Sequence, residues 1–217
     1  MGRIANRHLI VFTRFPVAGT TKTRLIPVLG ASGAALLQRS MAERTLERVS
    51  RAHLLPEPSI EIRFEGGDRK RLQAWLGAGY FYRPQEGHDL GARMAAAFEN
   101  AFRDGADQVA LVGTDIPGLQ STVIECAFHG LAKADVVFGP ASDGGYYLIG
   151  MSREIYPAGL GLFKDIDWGT ARVLSASLDK AASLGLRTRL LEELADVDNP
   201  EDLPVWEQAL RTPSGKA

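Results

Sequence analysis

The sequence predicts an α/β protein in which one mostly parallel, mixed sheet is covered by helices on both faces. Short apolar runs recur along the chain, as at 8–13, 109–112 and 136–138. Such runs are typical of strands that are buried on both faces of a sheet. Segments with helical periodicity lie between them. The connections between strands are too long for β-hairpins, which favours parallel strands joined by helices.

The predicted elements alternate along the chain. Strands are expected at 8–13, 59–64, 80–82, 109–112, 136–138, 147–149 and 186–191. Helices are expected at 31–53, 69–76, 90–102, 120–132, 171–184 and 201–210. Because no repeat, linker or change in composition divides the chain, we predict a single domain over residues 1–211 and a flexible tail over 212–217.

The composition restricts the classes of function that fit the chain. Its 217 residues are 45% hydrophobic and 24% charged, which is ordinary for a globular protein. A formal net charge of -1 offers no basic excess for nucleic acid. The apolar run Leu9–Phe12 is too short for a membrane span or a signal segment. The single cysteine, Cys126, excludes an internal disulfide, and we expect it to be buried. These features predict a cytoplasmic protein without a membrane span.

The most informative segment is Thr114–Pro117, which follows the apolar run 109–112. In open α/β sheets, ligands bind at the carboxyl ends of the strands. Asp115 is therefore well placed to hold a divalent metal against phosphate oxygens. The alternative is that Asp115 only caps a helix, since an aspartate shortly before a proline is common at helix starts.

The loop Phe15–Leu25 follows the first strand at the same edge of the sheet. Gly19 allows close approach of the backbone, whose amides can cradle phosphate. Lys22 offers a compact charge, Arg24 a planar fork and Arg14 a third charge, all suited to phosphate oxygens. The glycine pattern is not that of a Walker A loop. A solvated basic loop is the alternative, and composition favours neither.

A glycine pair preceded by an aspartate comes just before the predicted strand 147–149. Asp143, Gly144 and Gly145 fit a simple turn. They also suit a place where a substrate approaches the backbone and Asp143 binds its hydroxyl groups. Tyr146 could stack on a sugar or a base, although an aromatic residue beside a strand more often packs in the core.

A late acidic segment has a strong structural explanation. Asp198 or Asn199 fits a helix N-cap, with Pro200 in the first turn. Asp196 precedes the cap and is not explained in this way. If the segment is extended, Asp196 and Asp198 point the same way. That face would offer a second carboxylate to a metal held by Asp115.

Two further segments carry candidate substrate ligands. The connector Gln85–Met94 is unusually polar, so Gln85 and Arg93 are expected to face the cleft, while a lone His88 is weak evidence for a base. Trp168 could line an acceptor pocket, although burial in the core is the commoner outcome for a tryptophan.

In this order, the segments resemble a bacterial family of uncharacterised proteins grouped with nucleotide-diphospho-sugar transferases. Its members are often described as glycosyltransferases associated with radical-SAM, selenium or arsenosugar gene clusters. The matching segments extend over nearly the whole chain and are Arg14–Leu25, Gln85–Met94, Gly113–Pro117, Gly139–Gly150, Trp168–Thr170 and Asp196–Leu203. The family tends to have serine where this chain has Thr114, and threonine where it has Asn199; both changes keep a small polar side chain.

The resemblance implies a GT-A-like fold, a single Rossmann-like α/β/α sandwich. The chain is also similar to molybdenum-cofactor and 2-phospholactate guanylyltransferases. That similarity implies that carboxylates matching Asp115, Asp196 and Asp198 hold a catalytic Mg²⁺, and that Lys22 and Arg24 clamp the nucleotide phosphates.

The leading hypothesis is a metal-dependent glycosyltransferase that uses a nucleotide-diphospho-sugar, a small-molecule acceptor, and Mg²⁺ or Mn²⁺. The expected catalytic residues are Asp115, Lys22, Arg24 and Asp143. The expected nucleotide ligands are Arg14, Gly19, Lys22, Thr23 and Arg24. The expected substrate ligands are Gln85, Arg93, Asp143, Gly144, Gly145, Tyr146 and Trp168. The expected metal ligands are Asp115, Asp198 and Asp196.

Two alternatives remain open. Nucleotidyl transfer, in which an NTP reacts with a phosphorylated small molecule and pyrophosphate leaves, would use the same residues. It is favoured by Gly113–Asp115, which lacks the first carboxylate of the Asp-x-Asp motif common in metal-dependent glycosyltransferases. A non-catalytic nucleotide-binding protein is the second alternative. We expect no nucleic-acid partner and assign no oligomeric state.

Overall fold

The structure is a computed structural model that describes residues 5–211. The predicted tail at 212–217 lies outside the described residues. The strands are β1 (Arg7–Arg14), β2 (Ser59–Glu65), β3 (Phe81–Pro84), β4 (Gln108–Gly113), β5 (Val136–Pro140), β6 (Tyr146–Ser152) and β7 (Thr188–Leu190). The helices are α1 (Ile26–Val49), α2 (Arg69–Leu76), α3 (Leu90–Arg103), α4 (Ser121–Gly130), α5 (Val173–Ser183) and α6 (Leu203–Arg211).

The strands form one seven-stranded sheet in the order β3-β2-β1-β4-β6-β5-β7. β1 pairs in parallel with β2 and β4, and the outer pairs β2–β3 and β5–β7 are parallel as well. Among the strands of residues 5–211, only β6 runs against both of its neighbours, β4 and β5. The prediction of a mixed, mostly parallel sheet is therefore confirmed. The expectation that every connection is too long for a hairpin is wrong here, because residues 141–145 alone join β5 to the antiparallel β6.

Each strand contributes side chains to two cores because successive residues point to opposite faces of the sheet. In β1, Leu9 and Val11 pack with α1, α2 and α4, whereas Ile10 and Phe12 pack with α3 on the other face. All four side chains are buried. Helices thus cover both faces, and the predicted α/β/α arrangement is confirmed.

The apolar run that predicted β4 is explained by its place in the sheet. Val109–Val112 is buried throughout, since β4 lies between β1 and β6 near the middle of the sheet and has helices on both sides. No solvent-facing position interrupts the run. This strand carries the backbone directly to the edge where Asp115 lies.

Two other sequence expectations differ from the structure. Cys126 is exposed rather than buried. The buried stripe of α4 consists of Val123, Ile124, Ala127 and Phe128, and position 126 falls beside it. The first long helix also begins earlier than expected, at Ile26, with a non-helical interruption at Gly30.

The chain between β6 and α5 holds two short 3₁₀ segments, Arg153–Ile155 and Ala158–Phe163, that the sequence reading missed. Segments of this length show too little periodicity to be detected. Leu162 and Phe163 are buried against α3, so this connection fills the second core. Within residues 5–211, no helix combines the length and the apolar character needed to cross a membrane.

The strand directions bring several chain segments to one edge of the sheet. β1, β2, β4 and β5 end there, while β6 begins there because it runs in the opposite direction. The segment before α6 joins this edge through a bridge between Ala141 and Leu194 and through the Val197 amide, which donates to the Asp115 carbonyl at 3.0 Å. The cleft described below lies at this edge.

The packing of Gly144 generates a stability prediction. Gly144 has φ +87°, and a Cβ there would lie 2.1 Å from the Ala171 carbonyl oxygen. Gly105 has φ +100°, but no atom lies within 4 Å of its Cβ position. Gly144→Ala combines backbone strain with a steric clash and is expected to lower the free energy of unfolding by about 3 kcal/mol. Gly105→Ala adds only the strain, about 1 kcal/mol.

Urea unfolding of the two variants measures this difference. Equal losses of stability would show that the contact with Ala171 does not restrict position 144.

Candidate functional site

A cleft of about 630 Å³ opens at this edge of the sheet. It is lined by most of the residues that the sequence placed in the site, namely Arg14, Lys22, Thr23, Arg24, Gln85, Arg93, Asp115, Asp143, Gly145, Tyr146, Trp168, Asp196 and Asp198. Gly19 and Gly144 are not among its lining residues. Gly144 instead packs against Ala171 and accepts a hydrogen bond from the Leu174 amide at its carbonyl.

The late acidic segment is shaped by a helix cap. Asn199 is the N-cap of a 3₁₀ turn that leads into α6, and it forms a capping box with Asp202. The Asp202 carboxylate also accepts from the amide of Asp198 at 3.0 Å. Since Asn199 and Asp202 make the cap, the side chain of Asp198 is left to face the cleft.

The Lys22 ammonium lies between two of the expected metal ligands. Its Nζ is 2.7 Å from Asp115 Oδ1 and 2.7 Å from Asp198 Oδ1. It also donates to the Val197 carbonyl at 2.7 Å. The Lys22 side chain is only 6% exposed, whereas those of Asp115 and Asp198 are 45% and 43% exposed. The lysine is therefore buried beneath two carboxylates that border the cleft.

The electrostatics of this cluster favour the charged form of Lys22. Burial alone would lower the pKa of Lys22, but the negative charges of Asp115 and Asp198 outweigh it and hold that pKa above its usual value. The backbone at Lys22 has φ 49°, a left-handed conformation that is uncommon for a residue with a side chain. The loop thus holds Lys22 in a constrained position.

The two loop cations that were expected to clamp phosphate are placed differently. Arg24 is exposed and lines the cleft. Lys22 Nζ donates to Asp198 Oδ1 and to the Val197 carbonyl and forms an ion pair with Asp115 Oδ1, so its charge is already paired within the protein. In this arrangement Arg24 can meet an anion in the cleft, whereas the Lys22 ammonium would first have to leave its carboxylates.

A second cluster of charges lies at the ends of β1 and β2. Glu65 Oε2 accepts from Arg14 at 3.0 Å and 2.6 Å and is 3.3 Å from Arg93 Nη1. Burial would raise the pKa of Glu65, but the two guanidinium groups lower it below its usual value. Two arginines share one carboxylate, so a net positive charge remains. The Gln85 amide lies beside them and donates to the Thr13 carbonyl at 3.2 Å.

Glu65 is a site residue that sequence reasoning missed. It is the last residue of β2, and its carboxylate holds Arg14 and Arg93 at the border of the cleft. The available signal was its position at the carboxyl end of the predicted strand 59–64, where ligands bind in open sheets. A charged residue at that place should have been included with Asp115.

The opposite part of the cleft, at the turn between β5 and β6, is acidic. Burial, together with the nearby carboxylates of Asp143, Asp198 and Asp202, raises the pKa of Asp196 to about 6. Asp143 Oδ1 accepts from the Gly145 amide at 2.8 Å, which fixes the turn.

Aromatic side chains form the wall next to these carboxylates. The ring centroids of Tyr146 and Trp168 are 6.4 Å apart at an interplanar angle of 82°. Burial raises the pKa of Tyr146, whose ring also packs on Phe138 at 5.3 Å. A Cβ at Gly91 would lie 2.6 Å from Trp168 Nε1, so α3 packs tightly on the indole. Tyr146 is thus largely a packing residue, whereas Trp168 is half-buried and borders the cleft.

The donor set around Lys22 fits a divalent cation. Asp115, Asp198 and the Val197 carbonyl offer three oxygen atoms that converge on one cationic position. Mg²⁺ is usually bound by one or two carboxylates together with substrate phosphates. Within residues 5–211, no group of three or more His, Cys, Asp or Glu side chains is arranged to hold a metal. The residues therefore fit a metal that completes its coordination with a ligand.

Solved structures share this fold. A protein of Desulfovibrio desulfuricans G20, provisionally described as a nucleotide-diphospho-sugar transferase, has 34% identity and a TM-score of 0.89, over 97% of this chain and 90% of that chain. The inositol-1-phosphate CTP transferase of T. maritima has 16% identity and a TM-score of 0.56 over 100% of both chains. A manganese complex of Rv0371c from Mycobacterium tuberculosis H37Rv has 16% identity and a TM-score of 0.57, over 94% and 99% of the two chains. The two likenesses at 16% identity concern the fold alone.

No curated protein matches the sequence. A family of uncharacterized proteins conserved in bacteria, DUF2064, matches residues 45–170, which is more than half of the chain. This match and the relative with 34% identity agree with the resemblance found in the motifs. The chain therefore belongs to the DUF2064 family.

Proposed function

We propose that the protein is a metal-dependent glycosyltransferase that moves a sugar from a nucleotide-diphospho-sugar to an uncharged small-molecule acceptor. The observation that supports this best is the separation of charge along the cleft. The nucleotide-diphospho-sugar assignment also draws support from the D. desulfuricans relative, which is described in those words.

Basic side chains line the cleft where β1, the loop after it and α3 border it. Arg14, Arg93, Arg24 and Lys22 are its basic lining residues, and they come from the end of β1, the loop after it and the start of α3. Guanidinium groups bind phosphate oxygens well because they donate two parallel hydrogen bonds. This part suits the diphosphate of an activated nucleotide.

The part near β5 and β6 suits hydroxyl groups instead. Asp143 and Asp196 line the cleft together with Trp168, and the charged groups that raise the pKa of Asp196 are the carboxylates of Asp143, Asp198 and Asp202. Carboxylates accept hydrogen bonds from sugar hydroxyls, but they repel a phosphate. A sugar and an uncharged acceptor therefore fit this part better than a phosphorylated substrate does.

Nucleotidyl transfer is the second candidate. It is favoured by Gly113–Asp115, where the first carboxylate of the glycosyltransferase Asp-x-Asp motif is missing. It would place a phosphorylated small molecule next to Asp143 and Asp196. For this reason we rank it below glycosyl transfer.

The chain's own residues then take distinct roles. Arg14 and Arg24 bind the diphosphate, and Asp143 orients the sugar. Asp115 and Asp198 would hold the divalent cation, Mg²⁺ or Mn²⁺, which when bound neutralises the charge that develops on the leaving diphosphate. The fold shared with a manganese complex supports such a metal. A cytoplasmic location stays a prediction.

A ligand panel tests the proposed reaction. UDP-, GDP-, ADP- and CDP-sugars and the four NTPs are compared in thermal shift, each with and without Mg²⁺ or Mn²⁺. A ligand that binds only the folded protein raises the melting temperature. We expect a metal-dependent shift with one nucleotide sugar, and slow release of the nucleoside diphosphate from it. A shift with one NTP only, followed by pyrophosphate release with a phosphorylated acceptor, would establish nucleotidyl transfer instead.

The role of Asp115 is tested by Asp115→Asn. The variant is expected to fold normally, to lose the metal-dependent shift and to turn over about 100-fold more slowly, because charge stabilisation at the diphosphate is lost. Asp165→Asn is the matched control, since Asp165 is 87% exposed and pairs with Lys180 outside the cleft. If Asp115→Asn instead unfolds the protein and leaves the shift intact in the folded fraction, Asp115 has a structural role.

A further inference from the structure

We propose that the Lys22 ammonium and a divalent cation are alternative occupants of one position, so that metal binding displaces Lys22 from between Asp115 and Asp198. The released ammonium then turns into the cleft, where the nucleotide diphosphate receives it. This inference rests on the proposed function, because it concerns the same metal and nucleotide.

The contacts of Lys22 exclude a metal ion from the same three oxygen atoms while the ammonium is in place. Lys22 Nζ is 2.7 Å from each of the two carboxylate oxygens and 2.7 Å from the Val197 carbonyl oxygen. A Mg²⁺ ion would need these oxygens at about 2.0–2.1 Å. A cation that approached them would lie against the ammonium and repel it. Asp115 Oδ1, Asp198 Oδ1 and the Val197 carbonyl oxygen can therefore bind only one of the two cations at a time.

Lys22 explains why two carboxylates can lie together when no metal is bound. Asp115 and Asp198 come from distant parts of the chain and are joined by the Val197 amide, which donates to the Asp115 carbonyl at 3.0 Å. Without a cation between them, the two negative charges would repel each other. Lys22 is thus a built-in counter-ion that keeps the pair assembled.

The loop lets the side chain move while its backbone stays in place. Thr21 is buried, and its hydroxyl accepts from the Val17 amide at 3.0 Å. The amides of Thr20 and Thr21 both donate to the Val17 carbonyl at 3.2 Å. These bonds fix the backbone just before Lys22. The four-carbon stem of Lys22 can therefore rotate out of the carboxylates without unfolding the loop.

The exchange couples the two ligands. A metal ion alone must remove Lys22 from its partners and leave the ammonium without new ones. When a nucleotide diphosphate is present, its phosphate oxygens accept from the released ammonium. Lys22 therefore opposes the metal alone and favours the nucleotide, and the two ligands bind with positive cooperativity.

The test measures Mn²⁺ affinity without nucleotide, by the EPR signal of free Mn²⁺, and then the affinity for the nucleoside diphosphate in the presence of Mn²⁺. Lys22→Met is expected to bind Mn²⁺ alone about tenfold more tightly than the wild type, and the diphosphate about tenfold more weakly. Arg24→Met is the matched control, because Arg24 lines the same cleft but is exposed. It is expected to weaken the diphosphate and to leave the Mn²⁺ affinity within about twofold.

Two outcomes would overturn the inference. If Lys22→Met binds Mn²⁺ no more tightly than the wild type, Lys22 is not the competing occupant. If Arg24→Met gains as much Mn²⁺ affinity as Lys22→Met, the gain reflects the general loss of positive charge in the cleft.

A measurement on the wild type keeps the test valid if Lys22→Met folds poorly. Amine labelling followed by mass spectrometry reports the accessibility of Lys22, with the exposed Lys70 as the internal reference. Labelling of Lys22 is expected to be slow in the free protein, to rise with Mn²⁺ alone and to fall again when the diphosphate is added. Unchanged labelling with saturating Mn²⁺ would contradict the exchange.

These experiments distinguish a failure of the proposed exchange from a failure of the proposed glycosyltransferase function. Binding and labelling need no turnover, so the expected pattern without any sugar transfer would refute the glycosyltransferase alone. An active glycosyltransferase whose Lys22→Met variant gains no Mn²⁺ affinity would refute the exchange alone.

Discussion

The site depends on one ion cluster, in which the Lys22 ammonium joins Asp115 and Asp198. These residues lie far apart in sequence, after β1, after β4 and before α6, and the cluster joins the three segments at the cleft. Beneath the cluster, Leu25 and Val197 are buried in a small core that also receives side chains of α1 and α6. The position of the last helix and the floor of the cleft are therefore set together.

Much of the fold could be predicted because its strands are buried on both faces. Residues 9–12, 109–112 and 136–138, in β1, β4 and β5, have no polar positions, and the interior place of these strands in the sheet requires this. The direction of β6 was missed, although the chain between β5 and β6 is only residues 141–145. Parallel strands need a much longer crossover, so this short connection indicated an antiparallel pair. The exposure of Cys126 was also predicted wrongly, because it depends on which stripe of α4 faces the sheet.

The candidate site was predictable to the extent that it follows from strand ends. Ligands bind at the carboxyl ends of strands in open α/β sheets, and this rule identified Asp115 and the loop after β1 from the sequence alone. The rule does not show which charged side chains form ion pairs with each other. Lys22 reads as a phosphate ligand in the sequence, but its ammonium lies on two carboxylates because the segment before α6 folds back to the end of β4. Such a contact between distant segments leaves no local pattern.

The fold alone does not decide which group is transferred, since a CTP transferase and a provisionally described nucleotide-diphospho-sugar transferase share it. The distinction has to come from the parts of the cleft that differ in charge. Both candidate reactions need the basic part and the metal ligands, because both stabilise a phosphate leaving group. The donor differs between them, a nucleotide sugar in one reaction and an NTP in the other, and so does the acceptor, which in either reaction would meet Asp143 and Asp196. Asp143 and Asp196 do not help to identify the fold, but their negative charge is the main structural reason for preferring one reaction over the other.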